Sequence, residues 1–134
     1  MCFQRLKDID ETFRNAIDSI LKIAKTDGPF WQRLESIVNV HIDEVEQPDN
    51  LKAQKKSRKE EDIYLCCLFD IVDALFAQES ETILDSSFGA EQKHHAIDRL
   101  LRNLKDVAFG GPQWNHGTMP RISKRLQDIK RQIR

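Results

Sequence analysis

The chain has 134 residues, 40% apolar and 32% charged, with 21 Lys and Arg against 22 Asp and Glu and a formal net charge of −1. That is chain enough for one domain with its own core, and the near-neutral total excludes a global electrostatic pull toward nucleic acid or an anionic membrane. Three cysteines exclude a disulfide framework and point to a reducing, cytoplasmic compartment.

No secretory leader is expected, because Arg5, Lys7, Asp8 and Asp10 interrupt the first ten residues. Phe3, Leu6, Ile9, Phe13, Ala16, Ile17, Ile20, Leu21 and Ala24 recur at helical spacing and predict a first helix over about 3–25. Thr26-Asp27-Gly28-Pro29 ends it, with Gly28 expected in a left-handed cap and Pro29 opening the next helix. That second helix runs to about Glu46, with a stripe of Phe30/Trp31, Leu34, Ile37/Val38, His41 and Val45. Gln47-Pro48-Asp49-Asn50 breaks it.

A charged loop at about 47–60 follows. It has nothing to bury, and its alternative reading is an anion-binding segment built on Lys52, Lys55, Lys56, Arg58 and Lys59. The most informative stretch comes next, a helix over about 62–78 that is apolar almost all the way round. Only Asp62, Cys66, Asp70, Asp73 and Ala77 share a narrow polar sector, roughly 80° wide at 100° per residue. Such a helix must be enclosed by neighbours. Asp70 and Asp73 are read as the face that touches water. Cys66 and Cys67 are adjacent, so their side chains diverge by about 100° and do not pair; three free thiols are expected.

Ser80–Leu84 suggests a short separate helix, and Asp85–Gly89 a turn. A further helix is predicted over about 90–109, on the stripe Ala90, His94, Ile97, Leu101, Leu104 and Ala108, stopped by Gly110-Gly111-Pro112. The loop through Met119 carries Trp114, Asn115 and His116, an apolar face with hydrogen-bonding groups on a flexible frame, which is the make-up of a partner-binding loop. Thr118 is expected to cap a last helix over about 119–133, with Pro120 near its start. Ile122, Leu126, Ile129 and Ile133 line one side of that helix; Arg121, Lys124, Arg125, Lys130, Arg131 and Arg134 make it basic.

The expected fold is therefore all-α: a compact antiparallel bundle of five to six helices around the central buried helix, forming a single domain. No run is long and apolar enough to insert in a membrane. His41, Glu91 and His94 are the weak metal or small-ligand candidates, since Glu91 and His94 have the Glu/His spacing of bundle metal sites; the further inward glutamates of such sites are missing. No cofactor or catalytic pattern stands out. The leading expectation is a non-enzymatic protein that binds another protein, as a regulator, adaptor or subunit, and associates with itself. The alternative is an RNA- or DNA-binding module using basic segments 52–59 and 121–134.

Overall fold

The computed structural model describes residues 9–46, 58–107, 109 and 111–133. The fold is an all-α helical bundle, and no strand occurs among the described residues. The five α-helices among the described residues are α1 (Glu11–Ala24), α2 (Phe30–His41), α3 (Arg58–Asp85), α4 (Ala90–Asp106) and α5 (Met119–Gln132). Two π-helical turns extend them: Ile42–Glu46 continues α2, and Gln113–Thr118 leads into α5. Among the described residues no helix is long and apolar enough to cross a membrane.

The chain divides into two compact units, Met1–Val72 and Asp73–Arg134, and the division falls inside α3. In the first unit α1 packs on α2. Phe13, Ala16, Ile17 and Ile20 of α1 and Phe30, Leu34 and Ile37 of α2 are buried, as are Ile63, Tyr64, Cys67, Leu68, Phe69, Ile71 and Val72 of α3. In the second unit α4 packs on α5. Its core takes Leu75, Phe76 and Ile83 from α3, Ile97, Leu100 and Leu104 from α4, and Ile122 and Leu126 from α5, with Phe109 and Trp114 from the connection. The enclosed helix read from the sequence is thus α3, which feeds apolar side chains to both cores.

Several boundaries differ from the sequence reading, each for a local reason. Among the described residues the first helix begins at Glu11, where the Asp10 carboxylate accepts from the Thr12 amide at 2.8 Å and caps it, so Ile9 and Asp10, expected within the helix, are not part of it. Positions 1–8 lie outside the described residues. Gly28 adopts no left-handed cap; α1 ends in ordinary right-handed geometry at Lys25. There the Thr26 hydroxyl donates to the Ile23 carbonyl at 2.8 Å and Arg33 donates to the Ala24 carbonyl at 3.1 Å. Those donors satisfy carbonyls that a helix end leaves open.

The short helix expected at Ser80–Leu84 is instead the last part of α3. The Ser80 hydroxyl donates to Ala77 O at 2.7 Å and the Thr82 hydroxyl to Gln78 O at 3.0 Å. These polar side chains bond back onto the helix instead of competing with it. α4 stops at Asp106, short of the expected 109, as Val107 turns extended (ψ 116°). Phe109 then packs edge-on against Trp114, with ring centroids 5.0 Å apart and planes at 72°. The expected loop before the last helix is largely helical: Gly111 takes a positive φ of 81°, which glycine adopts without a Cβ clash, and the π-helical turn follows. Thr118 is in helical geometry with no side-chain capping bond, so it does not act as the expected cap.

Cys67 is free and buried, and Cys66 does not bond to it, as the divergence of adjacent helical side chains requires. Cys66 is nevertheless disulfide-bonded, which corrects the expectation of three free thiols. Cys66 is half-buried on α3.

Candidate interaction surface

α2 carries two adjacent apolar rows. Phe30, Leu34, Ile37 and His41 are buried and face the core of their unit. Trp31, Val38 and Ile42 lie one step round the helix at i, i+7 and i+11, a spacing that returns to one face. This second row is only partly covered: Trp31 is 46% exposed, Ile42 is 40% exposed and Val38 is half-buried. Ile42 opens the π-helical turn, a widening often found where function re-aims side chains. Exposed large apolar side chains that share a face are more informative than isolated ones.

Behind this edge the first unit holds a buried polar contact. His41 is 2% exposed, and its Nδ1 lies 2.7 Å from the Tyr64 hydroxyl in a buried hydrogen bond whose donor is set by the imidazole tautomer. Tyr64 stacks on Phe13 (centroids 5.1 Å) and on His41 (5.6 Å). Burial, with the Asp70 carboxylate adding to it, pushes the Cys67 thiol up to about 11. That thiol is protonated at neutral pH and has no nucleophilic character.

In the second unit Trp114 is 2% exposed, so its ring belongs to the core, while Asn115 and His116 of the same π-helical turn are exposed. Four basic residues of α5 are engaged within the unit. Arg121 and Arg125 both reach Asp73, at 3.4 and 2.5 Å, and Lys130 reaches Asp98 at 2.7 Å. Arg131 pairs with Asp128 along the helix at 3.3 Å. Lys124 is exposed and remains outside these pairs. Of the other basic candidates, Lys59 is exposed on the first turn of α3, which begins at Arg58. Lys52, Lys55, Lys56 and Arg134 lie outside the described residues.

The metal candidates do not assemble. His41 is turned onto Tyr64. Glu91 lies across from His95, one turn on, at 3.9 Å. The His94 Nδ1 is buried without a hydrogen-bond partner. Among the described residues no three His, Cys, Asp or Glu side chains gather to hold a metal ion.

Three features escaped the sequence reading. Trp31 and Phe30 are neighbours on one stripe, and only packing decides which of them faces the core. Tyr64 was legible as apolar surface, not as a partner for His41. Asp73 was legible as a water-facing acid, not as the anchor for two arginines distant in sequence. No family model, no curated protein and no solved structure matches the chain.

Proposed function

We propose that this chain is a non-enzymatic helical protein that works by protein–protein interaction, and that the α2 edge pairs with the same edge of a second copy. The observation that carries the reading is the row of Trp31, Val38 and Ile42, whose two large end residues are exposed. In a two-fold pairing of antiparallel α2 helices, Trp31 of each copy would meet Ile42 of the other, the self-complementary arrangement of an isologous contact. Aromatic anchors of this kind dominate binding energy at interfaces. The nucleic-acid alternative is weaker than the sequence alone made it, since Arg121, Arg125 and Lys130 already neutralise carboxylates of their own unit.

A cytoplasmic location belongs to the same reading. There glutathione and thioredoxin would hold Cys66 reduced, and its disulfide would be a property of the oxidised protein.

Sedimentation velocity over a concentration series tests the proposal. Wild type should shift from monomer toward dimer in the micromolar range, about −8 kcal/mol of association at a Kd near 1 μM. The double variant Trp31→Ser, Ile42→Ser should stay monomeric with an unchanged helical circular dichroism spectrum. A wild type that is monomeric throughout, or a double variant that dimerises equally well, overturns the self-association reading.

A further inference from the structure

We draw no further inference here: the strongest candidate outside the α2 edge, the exposed cations Arg99, Arg102 and Lys105 on the surface of α4, carries nothing, because the exposed carboxylate of Asp106 directly follows Lys105 and no second observation at these residues points to an anion.

Discussion

The unit that ends at Val72 joins its helices through a buried polar contact, His41 with Tyr64 beneath the ring of Phe13. The unit that begins at Asp73 joins its helices through ion pairs at their edges, Asp73 with Arg121 and Arg125, and Asp98 with Lys130. Both have an apolar core, so the difference among these described contacts lies in what joins the helices. A buried hydrogen bond is insensitive to salt but costly to leave half-made. A partly exposed ion pair contributes less and is screened by salt. The first unit should therefore respond to changes of shape and polarity, and the second to changes of ionic strength.

The largest effect expected is from Trp114→Ala in the second unit. It removes a buried indole and leaves Phe109 without its edge-on partner, a truncation that costs about 3–5 kcal/mol. Urea denaturation measures it, with Asn115→Ala as a surface control expected within about 0.5 kcal/mol of wild type. A loss below about 1 kcal/mol for Trp114→Ala would mean that the aromatic pair is not core.

Tyr64→Phe should come next. It keeps the ring stacked between Phe13 and His41 but takes away the hydroxyl 2.7 Å from Nδ1. The expected loss is about 1–2 kcal/mol, and it should be nearly the same at low and high salt. Strong salt dependence would contradict the contrast between the units.

Asp73→Asn should cost about 1 kcal/mol at low ionic strength, because two guanidinium groups lose one carboxylate. Near 1 M salt most of that loss should disappear, as the Debye length falls to about 3 Å. Thermal unfolding of both proteins across a salt series checks it. An unchanging difference would show that Asp73 acts through packing.

Cys67 should have the smallest effect at neutral pH and a growing one in alkali. Its folded-state pKa is about 11 against an ordinary value of 9.0, so the fold favours the neutral thiol. The stability this provides is fully present below pH 9.0 and is lost as pH rises through about 11. Compared with Cys67→Ala, wild type should lose its relative advantage across that window in denaturation experiments. A constant difference would contradict the burial account.

The contrast also shows where a sequence stops being legible. The all-α fold and the enclosed helix α3 could be read because apolar spacing is a property of neighbouring residues, and Ile63–Phe76 is unusually full of it. The ends of helices could be read less well, because Asp10, Ser80 and Thr82 act through single hydrogen bonds to the backbone. Partners distant in the chain could not be read at all. Nothing in Arg121–Arg131 announces that Asp73 and Asp98 will neutralise it, and a basic helix looked free for phosphates when it was engaged at home. For the same reason Trp114 looked like a binding residue on a loop, whereas Phe109 and a π-helical turn bury it. The uncovered residue was the other tryptophan, Trp31, whose place at the margin of the α2 stripe only packing could decide.

Those two tryptophans give the most direct test of self-association. Replacing the buried one, Trp114→Phe, leaves Trp31 as the sole indole, 46% exposed in the single chain. Its emission should be that of a hydrated indole when dilute and should shift to shorter wavelength as concentration rises through the dimerisation range, with loss of quenching by acrylamide. The same shift should be absent when Ile42→Ser is added. An emission maximum and quenching constant that do not change with concentration would contradict the claim that α2 pairs with a second copy.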